Sequence, residues 1–406
     1  MTDSIGQAYR ENYEGLMKAL GNERIALALS RATASYRQNL SKSLAKYPHT
    51  IALADEVRKI KERSVPRWES LLKEASDNIA ENKGQAYFAR TAEDARRIVG
   101  EIAGSKKIIV KAKSLTCEEI DLRQHLQEIE NQVWETDLGE LILQLLDEAP
   151  MHILSPAIHV PKEDVAKLFS KVMGKQIPPD IAVEVAAARE FLRQRYVEAD
   201  VGMSGANVVS ADTGSLFVIE NEGNARLCTG LPPVHIAVVG IEKLVPTLGE
   251  SFKVAEVTWR YAQYTVPSYV NIISGPSKTG DIEKTTTYGA HGPKEMHVVF
   301  VDNGRSMMAK DPVLREALYC LRCGGCMYEC PVFALVGGKF GYKYFIGYGA
   351  AWVAHVAGLA RAAPVAYTCL RCARCTERCP VKIDTGSIIS RLRGLLVKGY
   401  DQFEKP

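Results

Sequence analysis

The sequence predicts a protein of the mixed α/β class with helical regions at both ends, and three observations carry this prediction. The first 85 residues read as helices interrupted by Pro and Gly. From residue 86 onward, short apolar strands alternate with helices, which indicates a mainly parallel sheet. The last quarter holds eight of the ten cysteines in two regular runs. The 406 residues suit two or three domains, which we place at 1–85, 86–305 and 306–406.

Helix-breaking residues divide the N-terminal region into three expected helices. Residues 22–44 contain no Gly or Pro, and Tyr47-Pro48 then interrupts the pattern. A second helix is expected over 51–63 and a third over 67–82, before the stop signal Lys83-Gly84. The charged residues here predict a solvated face, with no chemistry of their own.

The middle region begins with strands and capped helices. Thr91 is the expected N-cap of one helix, Ser114 or Thr116 that of another, and a third helix carries 138–146. Short strands are expected at 86–89, 107–110, 132–134 and 153–154. Further along the chain, glycine-rich loops separate the strands expected within 210–219, 235–239, 270–277 and 296–301.

Polar loops in this second half are candidate ligand sites, because backbone N–H groups of Gly, Ser and Thr turns can hold anions. Residues 274–280 lack the order of a Walker A loop, and 202–205 lack the third glycine of a dinucleotide fingerprint. Tight turns explain such glycines as often as ligands do. The candidate residues are Asp212, Thr213, Ser215, Asn221, Ser277, Lys278, Asp281 and His291.

The two cysteine runs share the spacing C-x2-C-x2-C-x3-C-P, at 320–331 and 369–380. This is the bacterial ferredoxin pattern, in which three thiolates hold one [4Fe–4S] cluster and the fourth ligates the other cluster. Zinc sites have no use for the third cysteine followed by Cys-Pro, and disulfides need an export signal that the polar N-terminus lacks. Two clusters and a cytoplasmic protein are therefore expected.

The crossing rule assigns the ligands of both clusters. The first set is Cys320, Cys323, Cys326 and Cys379, and the second set is Cys369, Cys372, Cys375 and Cys330. The 38 residues between the two runs favour an α-helical ferredoxin arrangement, with helices expected at 313–318 and 388–397. Cys117 and Cys228 are expected to be small buried residues.

Charge and hydropathy limit the partners. The net charge of +3 gives no case for nucleic acid. The uncharged stretch 344–360 is too short for a spanning helix, so a buried helix beside the clusters is expected, with peripheral membrane association through partners left open.

Residues 306–406 carry a net charge of +7. Either this charge balances the clusters or a basic rim attracts an acidic redox partner; the cations beside the ligands are Arg322, Arg371, Arg374, Arg378 and Lys382.

The middle region resembles the lactate-utilisation (LUD) domain, and with the cysteine runs the chain resembles the lactate utilisation protein B family over about residues 10–395. The matching stretches include 211–216, 221–224, 275–283, 291–293 and 302–305. This resemblance implies a sheet similar to the ribose-phosphate isomerase and CoA-transferase class. It also implies the iron–sulfur subunit of a three-protein L-lactate oxidation system.

The sequence therefore favours an electron-transfer subunit of a lactate or 2-hydroxy-acid oxidising complex, not catalytic alone. Expected partners are another iron–sulfur or Cys-rich subunit, a second LUD protein or a flavoprotein dehydrogenase. One alternative is a LUD domain that binds or acts on an anionic, phosphorylated or acyl/CoA-like ligand, with Ser277, Lys278, Asp281 and His291 around it. Another is a scaffold that docks redox partners.

Overall fold

A computed structural model describes residues 2–398 and confirms the mixed α/β class. The chain begins with helices α1 (Thr2–Leu20), α2 (Glu23–Lys46), α3 (His49–Ser64) and α4 (Trp68–Glu81). The breaks lie where the sequence predicts them, because α2 ends before Tyr47-Pro48 and α3 ends before Val65-Pro66. Asn22 caps α2 by accepting hydrogen bonds from the N–H groups of Arg24 and Ile25.

The middle region contains the strands of the protein. They are β1 (Gln85–Ala89), β2 (Ile108–Lys111), β3 (Gln132–Glu135), β4 (Val201–Ser204), β5 (Val208–Ser210), β6 (Leu216–Glu220), β7 (Val234–Gly240), β8 (Leu244–Val245), β9 (Tyr269–Ile273), β10 (Lys278–Thr279), β11 (Thr287–Tyr288) and β12 (Glu295–Val301). Its helices are α5 (Ala92–Ala103), α6 (Leu115–Glu119), α7 (Leu122–Glu128), α8 (Leu138–Leu146), α9 (Lys162–Met173), α10 (Ile181–Glu198), α11 (Asn224–Gly230), α12 (Leu248–Tyr261) and α13 (Arg305–Lys310).

The C-terminal region is helical, with α14 (Gly325–Glu329), α15 (Pro331–Val336), α16 (Ile346–Ala357), α17 (Leu359–Thr368), α18 (Arg374–Arg378) and α19 (Thr385–Val397). Short 3₁₀ helices cover Val65–Arg67, Ile241–Lys243, Leu314–Tyr319 and Gly337–Lys339. The helix expected at 313–318 is thus a 3₁₀ helix. The apolar stretch forms the buried helix α16, and within residues 2–398 no helix is both long and apolar enough to cross a membrane.

The main sheet has six parallel strands in the order β1-β12-β7-β4-β2-β3. From β2 the chain goes outward to β3 and then returns to the other side of β2 as β4. This reversal is a topological switch point, and in parallel sheets ligands bind at the carboxyl ends of the strands beside it. A second sheet pairs β8-β5-β6-β9, and β10 and β11 form a separate hairpin.

The strand expected at 153–154 is absent, and this prediction was wrong. Residues 151–158 form bends and turns. The ring Nδ1 of His152 accepts hydrogen bonds from the N–H groups of Leu154 and Ser155, at 3.0 and 3.2 Å. The N–H groups of Leu154 and Ser155 are used in these local bonds, and Pro150 and Pro156, which have no N–H group, flank the segment. The backbone here therefore cannot form the hydrogen bonds of a β-sheet.

One core joins the three predicted domain regions. The largest cluster of buried apolar side chains includes Leu29 and Val57 of the N-terminal helices, Phe217 of β6, and Trp352 and Ile388 of the C-terminal helices. The N-terminal helices therefore pack on both the middle and the C-terminal regions.

A buried ion network crosses the boundary between the sheet and the C-terminal helices. Arg305, at the start of α13, donates to both carboxylate oxygens of Glu119 at 2.9 and 2.8 Å and also pairs with Glu242. The guanidinium lies 5.0 Å from the centre of the Trp352 ring, and the Tyr344 hydroxyl donates to Glu119. All three charged side chains are 1 % exposed or less.

Removing one member of this network is expected to destabilise the protein strongly. Arg305→Ala leaves Glu119 buried without its cation and takes from Glu242 its nearest one, at a cost of about 3–5 kcal/mol. Arg97→Ala is the matched control, because its ion pair with Glu101 is exposed and contributes about 0–1 kcal/mol. Urea denaturation of both variants checks this, and equal midpoints would contradict the role given to the network.

Candidate metal centres and the adjoining cleft

The two cysteine runs fold alike. In the first run Arg322 and Gly324 have left-handed backbone angles, φ 62° and 74°, and in the second run Arg371 and Ala373 have φ 54° and 62°. Such alternation turns successive backbone N–H groups toward one side and makes the concave, anion-holding backbone found at iron–sulfur sites. A short helix follows in each copy, α14 or α18, and each ends at a Cys-Pro step.

The eight cysteines line two neighbouring cavities. The inner cavity is lined by Cys320, Cys323, Cys326 and Cys379, the four residues predicted for the first cluster. The outer cavity is lined by Cys330, Cys369, Cys372 and Cys375, the four predicted for the second. Cys375 and Thr385 also touch the inner cavity, so the two spaces adjoin. Cys117 and Cys228 are buried in other cores, as expected.

The donor set of each cavity fits a [4Fe–4S] cluster. Five cysteines line the inner space and four line the outer one, with Cys375 touching both, and the N–H of Arg322 donates to Cys320 Sγ at 3.4 Å. Burial raises the pKa of the Cys330 thiol to about 11 and that of Cys379 to about 12. A thiolate at such a position needs a bound cation, which the iron of a cluster supplies.

The two cavities differ in their exposure to solvent. Leu321 in the first loop is 4 % exposed, whereas its counterpart Leu370 in the second loop is 65 % exposed. The Arg322 side chain is only 9 % exposed, with its guanidinium 4.1 Å from the centre of the Trp352 ring, whereas its counterpart Arg371 is exposed. The same sequence pattern therefore forms one interior centre and one centre near the surface.

The cations beside the cysteines divide in the same way. Arg378 pairs with Glu329 at 3.1 Å, and Lys382 donates to the backbone oxygen of Glu377. Arg371 and Arg374 are exposed and form no ion pair within residues 2–398. We call Leu370, Arg371 and Arg374 the outer rim.

A cleft of about 260 Å³ opens at the carboxyl edge of the main sheet. The loops after β2 and β4 form its sides, at the switch point, and α12 covers it. Its deep end is lined by Lys243 after β7 and by Arg322 of the first cysteine loop. Gly205 lets the two loops approach, because a Cβ there would lie 2.9 Å from Ser114 Oγ. We call this space the switch-point cleft.

The candidate ligand residues of the middle region lie in different places. Asn221 lines the switch-point cleft. Asp212 accepts hydrogen bonds from Ser210 and from the N–H of Leu248 at the start of α12; Thr213 lies beside it, and Ser215 bonds Ser274 at 2.7 Å. Four more lie on or beside the β10–β11 hairpin, where Lys278, Asp281 and His291 are exposed: Ser277, Lys278, Asp281 and His291.

Sequence reasoning missed the basic residues of the cleft. Burial, only partly offset by Glu242, lowers the pKa of Lys243 to about 8. Burial alone would raise the pKa of Glu242, but Arg305, Lys243 and Arg322 outweigh it and lower the value to about 2. The signal that could have identified Lys243 is its position just after β7. The carboxyl end of that strand lies at the edge of the sheet where the switch point is.

Comparisons with known proteins agree with this anatomy. The LUD domain family model matches residues 72–301, and the 4Fe-4S dicluster domain model matches residues 316–383. Lactate utilization protein B of Shouchella clausii is 36% identical over 390 residues, covering 95% of this chain and 79% of that protein. The "uncharacterized electron transport protein YkgF" of Escherichia coli K12 is 33% identical over 375 residues, covering 91% and 77%.

Among solved structures, a DUF162 family protein from Deinococcus radiodurans aligns at 13% identity with a TM-score of 0.32, covering 58% of this chain and 98% of that one.

Fold and site together define an iron–sulfur protein with an electron-transfer role, in which a LUD domain is joined to a helical domain with two [4Fe–4S] clusters. The chain belongs to the lactate utilization protein B family.

Crossed ligation predicts a specific pattern of iron loss. We expect about eight irons per chain and about four after Cys323→Ala or Cys330→Ala. The double variant Cys323→Ala/Cys379→Ala should still keep about four irons, because both residues line the inner cavity. Cys323→Ala/Cys330→Ala should lose nearly all of its iron.

Iron analysis and electron paramagnetic resonance of the reduced protein measure this. Cys117→Ala is the control for removing a buried cysteine elsewhere. If Cys323→Ala/Cys379→Ala lost both clusters while Cys323→Ala/Cys330→Ala kept one, the ligand sets would be sequential rather than crossed.

Proposed function

We propose that the chain is the electron-transfer subunit of a multi-subunit complex that oxidises lactate or a related 2-hydroxy acid. In this proposal Cys320, Cys323, Cys326 and Cys379 hold one cluster, and Cys369, Cys372, Cys375 and Cys330 hold the other. When bound, the clusters supply one-electron transfer between a partner dehydrogenase subunit and an acceptor. The chain is expected to work in the cytoplasm and not to be catalytic alone.

The observation that carries the proposal is the adjacency of an interior and a surface cavity. Cys375 and Thr385 line both spaces, so the two cavities adjoin. The inner cavity lies against the switch-point cleft through Arg322, and the outer cavity opens at the outer rim. This is the geometry of a conduit with one end inside the protein and the other end accessible to a partner.

The names of the relatives support the choice of substrate. Relatives at 33–36% identity are called lactate utilization protein B or electron transport protein. The expected partners are a second iron–sulfur or Cys-rich subunit, a second LUD protein or a flavoprotein dehydrogenase. Two hydride electrons leave a hydroxy acid together, so a partner that accepts them as a pair suits a chain that passes single electrons.

Lactate should reduce the chain only through its partners. The purified protein with both clusters should keep its visible absorption when L-lactate is added under anaerobic conditions. Adding the subunits that copurify with it should make the same addition bleach the absorption. Bleaching by lactate with no partner present would contradict the assignment as a conduit.

The outer rim should dock an acidic partner. The double variant Arg371→Glu/Arg374→Glu should slow electron exchange with that partner by about tenfold or more at low salt, because charge complementarity speeds encounter by 10–10³-fold. The control Arg189→Glu/Arg193→Glu makes the same change of charge on exposed positions of α10. Stopped-flow kinetics over a range of ionic strength measures both, and equal rates would show that the rim does not dock the partner.

A further inference from the structure

The switch-point cleft contains hydrogen-bond donors that the protein itself does not use. Lys243 is 7 % exposed and lines the deep end of the cleft, and its ammonium forms no hydrogen bond or ion pair with any residue in 2–398. Arg322 Nη1 and Trp259 Nε1 are buried polar atoms without a partner, and both side chains line the same space. The Glu242 carboxylate acts on both cations and lies 3.6 Å from Arg322, but neither the Lys243 ammonium nor Arg322 Nη1 has a hydrogen-bond acceptor within residues 2–398, so a site with these groups favours one.

The acidic side chains of the cleft, in contrast, are already used. Asp137 pairs with Lys113 at 3.0 Å and caps α8 through the N–H of Glu140. Glu220 accepts from the N–H groups of Ala225 and Arg226 at 2.8 Å and from Asn271 at 2.9 Å. Glu222, the third acid of the cleft, accepts from the N–H of Leu138 at 3.2 Å, and burial together with the nearby Asp137 raises its pKa to about 7. The acids of the cleft are therefore engaged by the protein itself, whereas some of its donors are not.

The remaining walls indicate what kind of anion fits. Beside the donors the cleft is lined partly by uncharged polar side chains, among them Ser114, Ser204 and Asn207, and partly by an apolar wall: Leu115, Ile153, Leu154, Val218, Ile219 and Ala262. A planar guanidinium and an ammonium together match a carboxylate, and an apolar wall suits a carbon skeleton better than it suits a fully hydrated phosphate or chloride.

We propose that the switch-point cleft binds a small organic carboxylate, held by Lys243, Arg322 and Trp259 next to the inner cysteine cavity. The site belongs to this chain alone, so it does not depend on the partner or on the direction of electron flow. Arg322 follows Cys320 by two residues, so it links the ligand directly to the first cysteine loop.

The competing account is that Lys243 and Arg322 only balance the charge of the inner cluster. Both accounts place cations near Cys320, since its charge affects the pKa of Lys243. They differ in one respect: charge balance needs no ligand, whereas a carboxylate site must bind its ligand saturably and lose affinity when a donor is removed.

Isothermal titration of the full-length protein with both clusters, under anaerobic conditions, distinguishes these accounts. The probes are pyruvate, L-lactate and acetate, with inorganic phosphate and chloride as anion controls. We expect saturable binding of the carboxylates. Lys243→Met should weaken it by about 10–100-fold, and Trp259→Phe, which removes one N–H and keeps an aromatic ring, by about 2–10-fold.

Lys253→Met is the matched control. It removes a lysine from the exposed face of α12, where it pairs with Glu56, while Trp259 of the same helix lines the cleft. Its affinity for the carboxylates should equal that of the unmodified protein. Iron content and visible spectrum of each variant establish that the clusters are loaded.

Three results would overturn the proposal. One is the absence of saturable carboxylate binding to the loaded protein, and another is equal binding of phosphate or chloride. The third is a Lys243→Met variant that holds both clusters and binds the carboxylates with unchanged affinity. A shift of its cluster potential would not rescue the proposal, because charge balance alone predicts that shift. If the Lys243→Met variant does not hold its clusters, the test rests on Trp259→Phe. Unchanged affinity of that variant for the carboxylates also overturns the proposal.

Discussion

The buried ion network around Arg305 is the constraint on which the arrangement of the two domains depends. Arg305 follows the last strand of the main sheet, and its partners Glu119 and Glu242 follow other elements at the same carboxyl edge. Its face packs on Trp352 of α16. Two carboxylates and a guanidinium are tolerated in a dry interior only while they remain paired, so displacements between the sheet and the C-terminal helices that separate them are costly.

This constraint also fixes the cleft against the cysteines. Arg322 lies 3.6 Å from Glu242, and its guanidinium lies between that carboxylate and the rings of Tyr344 and Trp352. The carboxylate that anchors Arg305 therefore also orients the first cysteine loop. Lys61 of α3 donates to the backbone oxygen of Glu242, which brings the N-terminal helices into the same contact. A change in any one of these elements reaches both the inner cavity and the switch-point cleft.

Much of this could be predicted from sequence where the determinants are local. The spacing of the cysteines assigns them to two sets, and the members of each set line one cavity, with Cys375 of the second set lining both. Caps such as Thr91 and Ser114 stand where the pattern places them. The failures have non-local or side-chain causes. The strand expected at 153–154 lost its backbone donors to His152, and the basic end of the cleft combines Lys243 and Arg322, which are 79 residues apart in sequence and meet only through the fold.

The two cysteine runs show why a repeated motif need not have a repeated role. Gly324 and Ala373 occupy equivalent left-handed positions, but a Cβ at Gly324 would lie 3.0–3.1 Å from Leu154 and His152. Glycine at the first position therefore lets the first loop press against the middle domain, whereas the second loop faces solvent and tolerates alanine at a cost of about 1–2 kcal/mol. Burial and hydrogen bonding tune the reduction potential of a cluster. The close packing that Gly324 permits is therefore one reason why the first cysteine loop is interior and the second lies at the surface.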